Sequence, residues 1–319
     1  MKQPRNREAR ETGTVLKTGT YVLIGIAALL LLHLATLHSY TLFHSIAEGF
    51  CITISVGMFM FAWNSRRLMD NNYVLFLGIA SLFIGLLDGL HALAYKGMGV
   101  FDTPGANLAT ELWILTRYMH AVSFLAALMF VKRVFSPSGV FAAFTVATIL
   151  SLLSIFHWDI FPDCYVEGTG LTAFKIGSEY VISLIFIASL GAVLAYRRSF
   201  DPGVLRLIAG VIVLNVAAEL SFTRYLGVYD LFNELGHFFK IAAYYLLYRA
   251  VIVTGLEKPY RLMFRDLVQK REELDKANVT LKQHVNEQNT EIAKRKEAER
   301  EREVVVEFLR RANETRTSE

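Results

Sequence analysis

Cysteine is nearly missing: two occur in 319 residues. Cys51 lies in an apolar run and Cys164 in a connecting segment. Neither has a companion at metal-ligand spacing, so no disulfide framework or thiolate metal site is implied. The chain also lacks a P-loop, a Gly-rich dinucleotide fingerprint, a Ser-His-Asp grouping and an HExxH pair. His284, in "LKQHVNEQ", is not followed by the acidic residue and downstream Pro expected of a phosphoacceptor, and reads as coil surface. What remains is not the material of a soluble catalyst, and nothing in it implies a nucleic-acid partner.

Hydrophobic residues make up 54% of the chain and mean hydropathy is +0.38, more apolar than a soluble domain. They come in blocks at about 19–38, 44–63, 73–95, 112–131, 138–156, 173–196, 204–222 and 235–254. Each is long enough for a helix to cross roughly 30 Å of hydrocarbon, with lipid as its neighbour. The basic residues alternate between connections. Lys2, Arg5, Arg7, Arg10 and Lys17 precede the first block. Arg66 and Arg67 follow the second, Lys132 and Arg133 the fourth, and Arg197, Arg198 and Arg206 the sixth. The other connections carry little more than Lys96 and Arg224. The positive-inside rule then puts both termini in the cytoplasm. The expected fold is all-α: a polytopic bundle of eight transmembrane helices, followed by a cytoplasmic coiled-coil helix. Residues 1–18 form an N-terminal tail, retained rather than cleaved, 19–258 the membrane domain and 259–319 the coil.

From Arg261 onward the chain is charged and free of Gly and Pro, which predicts one long helix. Phe264, Leu267, Leu274, Asn278, Leu281, Val285, Ile292, Val306 and Leu309 fall on an alternating three-four frame. Asn278 at an a position favours a parallel homodimer, while Arg271, Gln288, Arg295, Glu299 and Arg302 weaken the seam. Pro259 is expected to mark a kink between the last span and this helix.

Ionisable residues inside spans are costly and therefore functional by default. His44 and Glu48 open the second span, and Asp88, His91 and Tyr95 close the third. Arg117 and His120 open the fourth, Lys175 and Glu179 the sixth, Glu219 closes the seventh, and His237 and Lys240 open the eighth. With the topology above, all lie in the outer half. Spacings of three or four put each pair on one helix face, so these faces are expected to turn inward around a polar chamber open to the outer side. Glu48, Asp88, Glu179 and Glu219 can balance Arg117, Lys175 and Lys240. Three readings compete: a structural salt-bridge network, a site for a small polar or charged ligand, and a metal or haem site using His44, His91 and His237. His33, His38, His120 and His157 lack strong partners in the sequence. Trp63, Trp113 and Trp158 sit near span ends, where belt anchoring accounts for them.

The stretch "LFHSIAEGFCITISVGMFMFAWNSRRLMDNNYVLFLGIASLFIGLLDGLHALAYKGMG" resembles the third family of bacterial membrane-associated sensor domains. So do "ELWILTRYMH", "FPDCYVEGTGLTAFKIGSEY" and "ELGHFFKIAAYYLLYRAVIVTGLEKPY", and the likeness runs over about residues 20–260. Matching motif residues are His44, Glu48, Asp88, His91, Tyr95, Lys96, Trp113, Arg117, Lys175, Glu179, Glu219, His237 and Lys240. The resemblance implies a sensor module in the bacterial inner membrane, N-terminal to a histidine kinase, diguanylate cyclase or phosphodiesterase. It does not supply the ligand. "EREVVVEFLRRANETRTSE" resembles the linker leading into a GAF domain, so the expectation is a non-enzymatic chain whose output domain lies elsewhere in a longer protein. A transporter or channel and a membrane redox protein are the alternatives. An inner half poor in polar residues counts against the former, as does a coil after the last span.

Overall fold

The computed structural model describes residues 4–67, 69, 71–102, 105–224, 230–252 and 258–316; side chains are described for 19–20, for 23–252 within those limits, and for 264–307 and 310. Nine helices follow one another in the described residues: α1 (Pro4–His38), α2 (Tyr40–Ser65), α3 (Asn72–Ala94), α4 (Asn107–Ala127), α5 (Pro137–Phe156), α6 (Ala173–Ala195), α7 (Pro202–Phe222), α8 (Leu231–Ile252) and α9 (Lys258–Arg316). A single 3₁₀ turn extends α4 over Leu128–Phe130, and another precedes α7 at Arg197–Ser199.

The helix starts are written locally. Ser39, Asn71, Ser136, Thr172 and Asp201 each accept a hydrogen bond from a first-turn amide. Pro137 and Pro202 stand at first-turn positions, where no donor is missed.

Six helices are long and apolar enough to cross a membrane: α2, α3, α4 with its 3₁₀ extension, α5, α6 and α7. Of the two further spans expected, α1 offers a shorter apolar stretch, Leu23–His38. Helix α8 runs for 22 residues but contains Glu234, His237, Lys240 and Arg249, which lower its hydropathy. Its buried residues are Asn233, Glu234, Gly236, His237, Lys240, Ala243, Tyr244, Leu247, Ala250 and Val251, one stripe at helical spacing. That stripe is polar in the first half and apolar in the second. Leu235, Tyr245 and Tyr248 are on the exposed side.

The described residues of the first unit, Met1–Lys258, place apolar side chains outside and charged ones inside. Large apolar side chains such as Leu30, Ile149, Leu184, Ile187 and Val213 are exposed, while Arg117, Lys175 and Lys240 are among the largest fully buried side chains. A water-soluble fold arranges these classes the other way round, and a lipid solvent accounts for the reversal. Helix α3 is the most enclosed. Gly78 and Gly85 let it approach α2 closely, since a Cβ there would overlap Ala62 and Ser55 respectively. Helix α5 is peripheral, burying only Thr148 and Ile155.

The expectation of an all-α chain needs one amendment. In the segment between α5 and α6, β1 (Tyr165–Val166) pairs antiparallel with β2 (Gly170–Leu171). This hairpin is tied to the start of α4. Asn107 Oδ1 accepts from the amides of Cys164 and Tyr165 at 2.8 and 2.9 Å, and Glu167 accepts from the Ala106 amide and from Lys96 Nζ. Cys164 is buried beneath the hairpin, and burial pushes its thiol up to about 12, so it stays protonated and unreactive.

Within the second unit, Pro259–Glu319, the described residues, which end at Arg316, all belong to helix α9. Phe264, Leu267, Leu274, Leu281, Val285 and Ile292 are all exposed along it. The kink placed at Pro259 concerns residues 253–263, which lie outside the described residues or side chains.

Candidate functional site

Helices α2, α4, α6 and α8 begin, and α3 and α7 end, at the same end of the bundle. The eleven polar residues singled out in the sequence gather there, in two adjoining clusters.

The first cluster is centred on Lys240 of α8. Its ammonium donates to both carboxylate oxygens of Glu48, at 2.9 and 2.7 Å, and to Asp88 Oδ1 at 2.9 Å. Tyr244, one turn later on α8, donates to the other Asp88 oxygen at 2.9 Å. One cation therefore ties α8 to α2 and α3. Above it lie three imidazoles. His44 Nε2 stands 3.2 Å from His91 Nε2, and His237 Nε2 stands 3.4 Å from Glu48 Oε1. Tyr95 stacks on His44 with ring centroids 3.7 Å apart.

The second cluster is centred on Arg117 of α4. Its guanidinium pairs with Glu219 of α7 through Nε and Nη2. Nη2 also donates to Asn215 Oδ1 at 2.6 Å, and Nη1 to His120 Nδ1 at 3.0 Å. Asn215 is held for this by its own amide nitrogen, which donates to Val211 O. Beside it, Lys175 of α6 pairs with Glu179 at 2.9 Å and donates to the terminal carbonyl of α7, Phe222 O, at 2.5 Å. That last contact satisfies a carbonyl the helix end leaves open.

Trp113 joins the clusters. Its indole N–H donates to Glu179 at 3.1 Å, and its ring lies 4.7 Å from Lys240 Nζ and 5.3 Å from the Arg117 guanidinium carbon. Belt anchoring is therefore the wrong account of Trp113, which is 5% exposed. Trp158, by contrast, is largely exposed. His120 also corrects the expectation of no strong partner, and His33 does so through Glu234 Oε1 at 2.8 Å.

Three cations thus face four carboxylates, all fully buried or nearly so. Buried charges persist only when paired and hydrogen-bonded, and here nearly every one is. The residues the sequence did not single out are Tyr244 and Asn215; His120, named among the ionisable residues, is the one whose partner the sequence did not supply. Tyr244 and His120 carried a signal, since they sit four and three residues from Lys240 and Arg117. Asn215 is likewise four residues before Glu219.

The cavity at the top of the first cluster is small, about 30 Å³, room for one water-sized occupant. Its walls include His44, His91, His237, Tyr95, Trp113 and Phe222, and its rim includes Lys96 and Ala106 beside the hairpin. The chemistry on offer is the binding of a cation or a small polar solute by imidazole and carboxylate.

The sequence profile of a membrane-associated sensor domain, MASE3, matches residues 35–259, which hold every residue of both clusters. No curated protein and no solved structure matches the chain.

Proposed function

The chain belongs to the membrane-associated sensor domain family MASE3, and on that premise we propose that it reads a signal at the outer-side polar chamber and passes it through α8 to α9. The observation that carries this reading is the position of Lys240. It bridges Glu48 and Asp88 from the helix that precedes α9 in the chain. Any ligand or ion that alters the balance among these groups acts on α8 directly. The reading takes α1 and α8 as spans in addition to the six apolar helices, with both termini cytoplasmic in a bacterial inner membrane. It takes the output as a histidine kinase or cyclic-di-GMP domain following α9, and this chain as a receiver without catalysis of its own. Against a transporter, the buried charged residues stop at mid-bundle: the other half of the interior is mainly apolar, with Met58, Ala62, Ile79, Phe124, Phe186, Ile208 and Val211 and only hydroxyls such as Ser55, Ser81 and Ser189 among the buried polar groups described there.

The test is a chimera in which the 319 residues precede a diguanylate cyclase catalytic domain. Cyclase output is expected to change as external metal, solute or pH is varied, and His91→Ala and His237→Ala are expected to flatten the response. Variants that track the unsubstituted chimera under every condition defeat the sensing reading.

The exposed row on α9 fits a second copy of the same helix. A parallel, in-register pair brings each Leu274 against its own counterpart. Cysteine at Leu274 or Leu281 is expected to form a disulfide-linked dimer in membranes under mild oxidation, well above the yield from an off-frame position such as Lys276. Equal yields from all three positions rule out the seam.

A further inference from the structure

Building on the sensing reading, we propose that the chamber binds a divalent transition-metal ion through His44, His91 and His237, one ligand each from α2, α3 and α8. The first argument is the placement of protons. His91 Nδ1 lies 2.7 Å from Ala109 O, and His237 Nδ1 lies 2.7 Å from Asn233 O. A carbonyl only accepts, so both Nδ1 atoms carry the proton. In the neutral rings both Nε2 atoms are then bare lone pairs. Backbone carbonyls orienting Nδ1 in this way are the usual outer support of metal-binding histidines.

The second argument is what those lone pairs meet. His237 Nε2 is buried without a hydrogen-bond partner and points at a carboxylate oxygen 3.4 Å away. His91 Nε2 meets His44 Nε2. A proton on His44 Nε2 would satisfy that contact, but it leaves His44 Nδ1 bare, and that atom too is buried without a partner. Buried acceptors facing acceptors are costly; a cation at the Nε2 atoms removes that cost for His91 and His237, while His44 Nδ1 stays without a partner.

Distance supplies the third argument. Two nitrogens bound to one tetrahedral ion at about 2.0–2.1 Å stand roughly 3.3 Å apart. The His44–His91 separation is 3.2 Å, and His44, Glu48 and His91 offer ligand atoms within 4.8 Å of one another; His237 stands outside that group, its ring centroid 5.0 Å from that of His44 and its Nε2 3.4 Å from Glu48 Oε1, so it joins the ion by closing over it. Glu48 already receives two hydrogen bonds from Lys240, so it serves as the charge beside the ion, with its bond to Lys240 kept. Three imidazoles leave a tetrahedral ion one open position, and the cavity they line has room for one water. Imidazole donors select zinc or copper over calcium or magnesium, which take oxygen.

The test uses the whole chain in detergent, stripped with chelator and reloaded with Zn²⁺ or Co²⁺. One ion per chain is expected, with a visible Co²⁺ absorption of four-coordinate type. His91→Gln and His237→Gln are expected to lose the ion, while His157→Gln, at the exposed end of α5, keeps it. Retention by the first two variants, or no ion in the parent chain, overturns the proposal. X-ray absorption on the zinc-loaded parent chain stands even if the variants do not fold: fewer than two imidazole neighbours overturns it as well. Binding is read here without any output, so a chain that binds no metal while its cyclase chimera still answers to pH or solute refutes the metal and leaves sensing intact.

Discussion

Lys240→Met is expected to destabilise the membrane unit by about 3–5 kcal/mol, the range found when one partner of a buried ion pair is removed. The ammonium has three protons, and its described partners are Glu48 Oε1, Glu48 Oε2 and Asp88 Oδ1. Without it, two carboxylates stand 0% exposed, with the Tyr244 hydroxyl on Asp88 and the His237 ring 3.4 Å from Glu48 as neighbours. Neutralising them should repair most of the damage, because an amide tolerates burial better than an unpaired charge. The triple variant Lys240→Met, Glu48→Gln, Asp88→Asn is therefore expected to recover more than half of the loss. Denaturant unfolding of the purified protein checks both statements. A single variant as stable as the parent would show that water or a proton already compensates the carboxylates. The triple variant should also uncouple α8 from α2 and α3, which gives it a flat response in the chimera despite restored stability.

Arg117→Leu is expected to cost a similar amount, about 3–5 kcal/mol, for a different reason. Its guanidinium serves Glu219, Asn215 and His120 together, so one substitution orphans a carboxylate, an amide oxygen and an imidazole nitrogen. Lysine is not an adequate replacement, since a single ammonium cannot reproduce the planar fork. The double variant Arg117→Leu, Glu219→Leu removes the charge on both sides. It is expected to be more stable than Arg117→Leu alone, with a coupling of about 1–3 kcal/mol in a double-mutant cycle. Strict additivity of the two single losses would mean that the pair contributes nothing as a pair. The partial recovery has a physical limit: Asn215 Oδ1 and His120 Nδ1 remain without their donor.

Both experiments separate the two clusters. Lys240 and Arg117 contact the same Trp113 ring, so Trp113→Leu should weaken each cluster without removing a charge. The arrangement explains why an indole sits at that position. Its N–H satisfies Glu179, and its π system attracts both nearby cations.

Much of this site was legible before any coordinates. A hydrocarbon solvent makes each buried charge expensive, so Glu48, Asp88, Arg117, Lys175, Glu179, Glu219 and Lys240 stand out from their surroundings by type alone. Alternation of Arg and Lys between connections assigns their depth. Spacing of three or four residues puts His44 with Glu48, Asp88 with His91, and His237 with Lys240 on shared faces. These are one-dimensional consequences of helix geometry and of the membrane, and they need no knowledge of neighbours.

Which faces meet is a separate matter. Sequence spacing gives no reason for Lys240 to choose Glu48 and Asp88 while Arg117 takes Glu219, because all four carboxylates lie at the same end. That choice follows from which helices touch, and the approach of α3 to α2 is decided by glycines at 78 and 85 meeting Ala62 and Ser55. The same holds for Trp113. Near a span end, an indole anchored in the interface and an indole turned inward read identically, and only the contact with Glu179 distinguishes them. The seating of the hairpin is tertiary too. It has two-residue strands, too short for any periodicity, and is held by Asn107 and, through its own Glu167, by Ala106 and Lys96 from distant parts of the chain. The sequence by itself determined a membrane helix bundle, its polar end and the residues that populate it, because solvent and helical period act on each segment alone. Tertiary packing decided the pairing of those charges, the inward turn of Trp113 and the convergence of three imidazoles, because each depends on faces of separate helices arriving at one point.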